Sequence, residues 1–201
     1  FDLRYKNAEK KIFYIKNIQL KLLGKHNVFN AAAAIAVCLN LGVNQNIIKK
    51  SLKKFSGVQR RMTKIFKKNK NDFYDDYAHH PTEISSILDG VKNAYEKRKI
   101  ISVFEPHRFS RVLSLKKEFS RSFSKSNLVL LCPLYAAGEK INPKFKVIEF
   151  AKLISKLSKT QVIIIKDFNE LKLYFKNNLN SDEIVIGMGA GLISKHMRDL
   201  K

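Results

Sequence analysis

Two short stretches of the sequence hold most of the side chains that could do chemistry. The first, "DDYAHHPTEI" (75–84), places two aspartates, a tyrosine and two adjacent histidines ahead of a proline. The second, "PHRFSR" (106–111), holds one histidine and two arginines. Carboxylates beside imidazoles could form a metal site, an acid–base pair or a nucleotide clamp, or they could simply begin a helix.

The spacing of the two histidines argues against a metal site. His79 and His80 are adjacent, and neighbouring residues of a helix point in different directions, so one ion cannot bind both. The segment Pro-Thr-Glu at 81–83 is typical of a first helical turn. The two preceding aspartates could accept hydrogen bonds from a ribose or orient a cation.

The arginines of the second stretch favour an anion site. Arg108 and Arg111 are three apart, which predicts that they share one face of a helix. A guanidinium group binds a carboxylate or a phosphate through two parallel hydrogen bonds. The exposed N–H groups of a helix start would add to this attraction. A solvated basic turn is the alternative.

Both stretches lie where a predicted strand ends and a helix begins. The predicted strands cover 73–76, 100–104, 128–132, 162–165 and 184–188, and the predicted helices cover 81–96, 110–123, 147–157, 168–177 and 190–200. Short apolar strands that alternate with helices predict an α/β fold, a Rossmann-like and mainly parallel sheet covered on both faces. Such sheets bind ligands at the carboxyl ends of their strands.

Residues 1–60 have a different pattern and no complete core of their own. Two β-prone runs predict a hairpin that turns near Lys16 and Asn17, and an alanine-rich helix follows, with Asn27 as its predicted N-cap. The amide side chains of "HNVFN" (26–30) have donors and acceptors that could read an adenine edge. A domain boundary is therefore predicted after residue 60.

The charge of the chain is high but scattered. The formal net charge is +22, and 31 of the 39 basic residues are lysines spread along the whole sequence. No aromatic stacking motif accompanies them, so the sequence does not favour a nucleic-acid partner. Cys38 and Cys132 lack the spacing of a zinc site and are expected to be free thiols in a reducing cytoplasm. No apolar run is long enough to insert into a membrane.

The glycines do not form a recognisable phosphate loop. "GMGAG" (187–191) lacks the full G-x-G-x-x-G spacing and follows the last predicted strand instead of the first. It is expected to be a tight strand-to-helix turn. Gly24 and Lys25 are followed by His26, so no Walker A motif is present.

Six segments, in one order, resemble the Mur ligase family. They are "GKHNVFNAAAAIAV" (24–37), "FSGVQRRM" (55–62), "DDYAHHPTEI" (75–84), "FEPHRFSR" (104–111), "LYAAGE" (134–139) and "GMGAGLISK" (187–195). Each segment is weak alone, but together they extend the resemblance over essentially the whole chain. The His-His-Pro-Thr extension and the Pro-His-Arg segment favour the family member that adds L-alanine.

The resemblance implies a bacterial, cytoplasmic enzyme of three domains. Residues 1–60 would be the C-terminal part of the central ATP-binding domain, and 61–201 would be a C-terminal Rossmann-like, substrate-binding domain. The phosphate loop, the UDP site and most Mg²⁺ ligands would lie upstream. The implied reaction uses ATP and Mg²⁺ to phosphorylate UDP-N-acetylmuramate, and L-alanine then attacks the acyl phosphate.

The motifs also imply roles for individual residues. For ATP, the adenine pocket would be formed by His26, Asn27 and Asn30. Arg61 would bind the phosphates, and Asp76 would bind the ribose. The residues around the amino acid and the reacting carboxylate would be Tyr77, His79, His107, Arg108 and Arg111. All of them except Tyr77 are candidate catalytic residues. The last two are expected to hold the L-alanine carboxylate, because paired guanidinium forks suit it.

Because the upstream parts are expected to be missing, the resemblance implies that this chain is inactive alone and that its domains close about a hinge near 57–63. Three alternatives remain open: a murein tripeptide ligase of the same family, a basic nucleic-acid-binding module, and a non-catalytic domain that binds a nucleotide or an anion.

Overall fold

The chain divides into two compact units. The structure is a computed structural model that describes residues 1–22 and 24–201, and it leaves the side chain of His26 undescribed. The first unit covers Phe1–Gly57 and the second covers Val58–Lys201. The boundary predicted from the sequence, after residue 60, lies three residues further along the chain.

The first unit combines a small hairpin with two helices. Strands β1 (Leu3–Lys6) and β2 (Ile12–Ile15) pair antiparallel, and helices α1 (Lys25–Asn40) and α2 (Gln45–Lys54) follow. Its core is a small cluster of five buried aliphatic side chains, which are Ile15, Ile18, Ile35, Leu39 and Ile48. In α1 the buried positions recur every four residues, as expected for a helix with one covered face.

Two local predictions for this unit are wrong. The hairpin turns between β1 and β2, where Lys10 has a positive φ, and not near Lys16 and Asn17. Helix α1 begins at Lys25 with Gly24 as its N-cap, so Asn27 lies inside the first turn, where its N–H donates to the Gly24 carbonyl. The glycine has a φ of 93°, a conformation that asparagine or serine rarely adopts, and it therefore sets the helix start.

The second unit confirms the predicted α/β fold. Its strands are β3 (Thr63–Lys68), β4 (Asn71–Asp76), β5 (Lys99–Phe104), β6 (Leu128–Leu131), β7 (Gln161–Ile164) and β8 (Glu183–Met188). Its helices are α3 (Pro81–Ala94), α4 (Phe109–Ser114), α5 (Lys116–Arg121), α6 (Val147–Ser158), α7 (Phe168–Asn178) and α8 (Ile193–Arg198). The sheet order is β3-β4-β8-β5-β6-β7, and every pair is parallel except β3 with β4.

Helices cover both faces of this sheet because the chain first crosses in one direction and then returns. The strands β4, β5, β6 and β7 progress along the sheet, so right-handed crossovers bring α3, α5 and α6 to one face. After β7, the chain crosses back over the sheet and β8 inserts between β4 and β5, which brings α7 and α8 to the opposite face. Alternate residues of β5 face the two layers: Ile100 and Phe104 pack with the first group, Ile101 and Val103 with the second.

One predicted helix is two helices. Residues 110–123 were expected to form a single helix, but the backbone leaves the helical region at Leu115, where ψ is 28°. The Ser114 hydroxyl donates to the Arg111 carbonyl at 3.1 Å, a side-chain bond that competes with the helical ladder. The break makes α4 a short element that depends on its neighbours for its position. In the part of the chain that is described, no helix is long and apolar enough to cross a membrane.

Candidate functional site

The carboxyl ends of three neighbouring strands lie side by side. Met188, the last residue of β8, pairs with Asp76 of β4 on one side and with Phe104 of β5 on the other. The connections that follow these strands therefore leave the sheet at one edge. Both reactive stretches of the sequence begin there, as the sequence predicts, and this is the edge where parallel sheets bind ligands.

Four aromatic or imidazole rings line this edge in a continuous row. Tyr77 and His79 meet edge to face at 5.2 Å between ring centroids, His79 meets His107 at 5.7 Å, and His107 stacks on Tyr135 at 5.5 Å. We call these four residues the ring row. It joins the connections after β4, β5 and β6, so the fold brings together three residues that the sequence singled out.

Tyr135 is the member of the ring row that the sequence reasoning missed. Its backbone forms an isolated parallel bridge with His107, in which the Tyr135 N–H donates to the Pro106 carbonyl and its own carbonyl accepts from Arg108 N–H. Tyr135 follows the predicted strand 128–132 within "LYAAGE". Its place just past the end of a neighbouring parallel strand was the signal that could have found it.

The two arginines of the second stretch occupy different environments. Arg111 lies in α4, and its guanidinium contacts Nδ1 of His107 at 3.3 Å. Arg108 is the N-cap residue with a φ of 68°, so it does not share a helical face with Arg111, and that prediction is wrong. Glu139 fixes the start of α4 by accepting from Ser110 N–H at 3.0 Å. Arg108 itself is exposed at this edge.

Burial and positive neighbours lower the pKa of His107 below 6.5, with burial as the largest cause, followed by Arg111, His79 and Arg108. A lowered pKa means that the folded chain disfavours the imidazolium form. His107 is therefore a neutral imidazole at pH 7, and because the guanidinium of Arg111 can only donate to Nδ1, the proton of the ring lies on Nε2, from which it can be donated to a ligand.

We expect histidine-selective ¹H–¹⁵N NMR to show His107 titrating below 6.5 in the folded chain. Because the pKa of His107 is lower in the folded chain, its contribution to the free energy of unfolding is fully present above pH 6.5. That contribution is lost as the pH falls through the folded pKa. Titration of His107 at or above 6.5 would contradict the geometry, since it would mean that the ring is either solvated or facing a carboxylate.

Asp76 is almost completely buried, and both of its oxygens hold backbone groups. One oxygen accepts from Met62 N–H and the other from Ala78 N–H, each at 2.7 Å. Burial is the largest influence on the pKa of Asp76 and raises it to about 6, against the two hydrogen bonds and Arg61, which lower it. Arg61 is exposed, next to the tethered Met62. Ribose binding by Asp76 remains a prediction.

His80 and Glu83 form the cap of α3. Glu83 accepts from the backbone N–H groups of His79 and His80 at 3.0 and 3.1 Å, and His80 accepts from Thr82 N–H at 3.4 Å. This reciprocal arrangement is a capping box, with Pro81 as the first helical residue. It also explains the adjacent histidines: His80 fixes the helix, while His79 is left to join the ring row.

The connection after β8 packs against a buried glutamate that the sequence reasoning did not assign. Glu105 is buried and accepts from Leu192 and Ile193 N–H at 3.2 and 3.3 Å. A Cβ on Gly191 would lie 2.5 Å from both Glu105 Oε2 and Tyr135 Cγ, so only glycine fits there. "GMGAG" is therefore a strand-to-helix turn, as predicted, that packs behind the ring row.

The three predicted adenine residues belong to the first unit. Asn27 and Asn30 are three apart in α1 and lie on neighbouring positions of one helical face, where Asn27 is half-buried and Asn30 is exposed. The side chain of His26 lies outside the described residues. Across residues 1–22 and 24–201, apart from that side chain, no group of three His, Cys, Asp or Glu side chains could hold a metal ion.

A Rossmann-like, mainly parallel sheet with imidazoles and arginines at its carboxyl edge defines an α/β domain of the doubly wound class. The sequence profile of the Mur ligase, glutamate ligase domain matches residues 60–191, and the chain belongs to the Mur ligase family. It is 52% identical over 200 residues to the UDP-N-acetylmuramate–L-alanine ligase of Pelagibacter ubique, covering all of this chain and 43% of that protein.

Solved structures agree with this family assignment. The UDP-N-acetylmuramate-alanine ligase of Thermotoga maritima is 26% identical, with a TM-score of 0.73, and the match covers 94% of this chain and 39% of that one. A murein peptide ligase of Psychrobacter arcticus is 21% identical with a TM-score of 0.67 over 94% of this chain and 40% of that one, and it shares the fold. The chain thus spans about two-fifths of the length of these relatives.

Proposed function

We propose that this chain is the C-terminal part of an ATP-dependent ligase of the bacterial cytoplasm that joins L-alanine to UDP-N-acetylmuramate in peptidoglycan precursor synthesis. The observation that carries the proposal is the ring row beside Arg108 and Arg111, in a chain 52% identical to a ligase of that name. Its substrates would be UDP-N-acetylmuramate, L-alanine and ATP.

The ring row suits the acyl-transfer half of such a reaction. Attack of an amine on an acyl phosphate concentrates negative charge on a tetrahedral centre, and preorganised donors and cations stabilise that charge best. His107, whose Nδ1 accepts from Arg111, offers an Nε2–H, and Tyr77 offers a hydroxyl. His79, whose Nδ1–H donates to the Tyr77 carbonyl, offers Nε2 as an acceptor. In this proposal these three residues surround the reacting carboxylate, and Nε2 of His79 can take the proton from the attacking amine.

The amino acid is held by its own carboxylate. Arg111 is fixed by its contact with His107, so its guanidinium is pre-oriented, whereas exposed Arg108 is free to swing onto the same carboxylate. The fixed guanidinium of Arg111 and the mobile guanidinium of Arg108 would together bind the carboxylate of L-alanine and leave its amine facing the histidines. This division of labour makes Arg111 the stronger determinant of amino-acid binding.

The residues proposed for ATP are His26, Asn27, Asn30, Arg61 and Asp76. ATP supplies the phosphoryl group that activates the lactyl carboxylate. Arg61 is exposed and can bind phosphate, so it fits this role. Asp76 is nearly fully buried, and we propose that it serves ATP mainly by tethering Met62, which fixes neighbouring Arg61. Mg²⁺ would accompany ATP and neutralise charge on its phosphates.

Expressing the complete open reading frame that contains this chain tests the proposal. With ATP, Mg²⁺, UDP-N-acetylmuramate and labelled L-alanine, we expect ADP, phosphate and a labelled UDP-N-acetylmuramoyl-alanine, whereas the 201-residue chain alone should give none. Product from the isolated chain would overturn the idea that it is one part of the ligase. If the complete protein gives no product with L-alanine but accepts a diaminopimelate-containing tripeptide, the assignment of L-alanine as its substrate is wrong.

A further inference from the structure

Arg60 makes an unusual set of contacts at the edge that carries the ring row. Its guanidinium lies over the ring of Tyr77, 4.5 Å from the centroid, and donates to the Gly189 carbonyl at 2.7 Å. Its Nε lies 4.0 Å from the buried carboxylate of Asp75. One side chain thus touches the ends of both β4 and β8 and the first member of the ring row.

The backbone of Arg60 is also fixed to the end of β4. Its carbonyl accepts from Tyr77 N–H at 2.8 Å, and two residues later Met62 N–H is held by Asp76. Arg60 and Met62 both have positive φ, at 59° and 48°. Non-glycine residues in this conformation cost free energy and persist only where surrounding contacts hold them. These contacts aim the Arg60 side chain inward, across Tyr77, and leave Arg61 outward.

Tyr77 needs such support because little else in its own connection orients its ring. It is partly exposed, at 37%, and it leads the ring row through its edge-to-face contact with His79. A cation over a tyrosine face is attracted by the ring quadrupole, more strongly where the pair is shielded from water. The guanidinium of Arg60 is itself largely covered, with 26% of its side chain exposed.

We infer that Arg60 is a positioning residue of this site: without touching substrate, its guanidinium fixes the ring of Tyr77, which packs against the imidazole of His79. The Nδ1 of His79 lies 2.9 Å from the carbonyl of Tyr77, whose N–H is in turn held by the Arg60 carbonyl, so the backbone of Arg60 supports His79 as well. The effect of Arg60 on catalysis rests on the proposed ligase function. Its effect on the position of the Tyr77 ring, the structural half of the inference, does not depend on that function. It also assigns different tasks to the two adjacent arginines, with Arg60 supporting the ring row and Arg61 facing solvent and ATP.

The chain provides a matched control at the opposite edge of the sheet. Arg98 lies over the ring of Tyr95 at 5.6 Å, pairs with buried Asp72 and donates to the Glu183 carbonyl. It therefore makes the same three kinds of contact as Arg60, at the amino ends of the strands, and it also pairs with Asp182 and donates to the Lys70 carbonyl. Arg98→Gln should therefore lower the melting temperature at least as much as Arg60→Gln does, and it should leave the kinetics unchanged.

Kinetics of the complete ligase test the catalytic half. Below the melting temperature, we expect Arg60→Gln to lower kcat/KM for L-alanine about tenfold, since small misplacements of reacting groups have effects of this size or more, with partial recovery in Arg60→Lys. Because Arg60 acts through Tyr77, adding Arg60→Gln to Tyr77→Leu should cost little further. Fully additive effects, or equal kinetics in Arg60→Gln and Arg98→Gln, would overturn the inference.

NMR of the 201-residue chain tests the structural half without turnover. Arg60→Gln should shift the ring protons of Tyr77 and His79, whereas Arg98→Gln should leave them in place. Unchanged ring signals in Arg60→Gln would refute the inference even if the ligase is active. Shifted signals combined with an inactive wild-type protein would instead refute the proposed function and leave the positioning role standing.

Discussion

Replacing Arg111 with alanine in the complete ligase should abolish efficient use of L-alanine and leave ATP binding almost intact. Arg111 is the only one of the two proposed carboxylate-binding arginines that the described structure shows fixed, through its contact with His107. Removing one partner of a hydrogen-bonded charge pair costs about 3 kcal/mol, which corresponds to a roughly 150-fold loss of kcat/KM for L-alanine. Initial-rate kinetics with each substrate varied in turn would measure it.

Two further variants sharpen this prediction. Arg111→Lys keeps the charge but loses the fork, so it should recover only part of the loss. Arg121→Ala removes an exposed arginine at the end of α5 and should behave as the wild type. Equal damage to L-alanine and ATP kinetics in Arg111→Ala would refute the assigned role, because it would indicate a general collapse of the site.

Arg111→Ala also has a consequence that does not depend on turnover. The positive charge of Arg111 is one cause of the lowered pKa of His107, second after burial. Removing it should raise the pKa of His107 in the 201-residue chain, and NMR titration would detect the change. A smaller neighbour also exposes the ring to water, which acts in the same direction.

The sequence predicted the sheet and the edge of the site because both depend on local patterns. Short apolar strands between amphipathic helices define a doubly wound sheet, and strand ends define where its connections meet. That basis places Tyr77, His79 and His107 at the carboxyl ends of strands, and only the family resemblance grouped them around one substrate. Their contacts follow from β4 and β5 both flanking β8, which no local pattern reveals.

The details that the sequence could not supply depend on backbone conformation and on distant partners. The positive φ of Arg108 removes it from the helical face of Arg111, and no residue type signals that turn. Arg60 and Arg61 are indistinguishable as letters, yet one faces a tyrosine ring and the other faces solvent. Met62 is fourteen residues from Asp76, so the backbone role of that carboxylate was invisible to a motif.

The same tether makes Asp76→Asn the most informative stability variant of the second unit. An asparagine offers one acceptor oxygen, and its NH₂ group would face the N–H of Met62 or of Ala78. Leaving a buried donor without an acceptor costs about 1–3 kcal/mol. Because Met62 is held in a positive-φ conformation, its release should also loosen Arg61, and we expect KM for ATP in the complete ligase to rise about tenfold.

The pH dependence of this variant gives a result with a definite sign. The pKa of Asp76 is raised from 3.8 to about 6 in the folded chain, so its contribution to stability is present at low pH and is lost as the pH rises through about 6. From pH 5 to 7.5 this amounts to about 1 kcal/mol, a loss that Asp76→Asn cannot show. Urea unfolding should therefore find the variant closer to wild type at pH 7.5 than at pH 5. Asp89→Asn, the same change at an exposed site of α3, should show no such convergence with wild type. If the difference in unfolding free energy between Asp76→Asn and wild type instead widens as the pH rises, Asp76 is ionised throughout. Its two hydrogen bonds would then favour the charged form more strongly than burial opposes it.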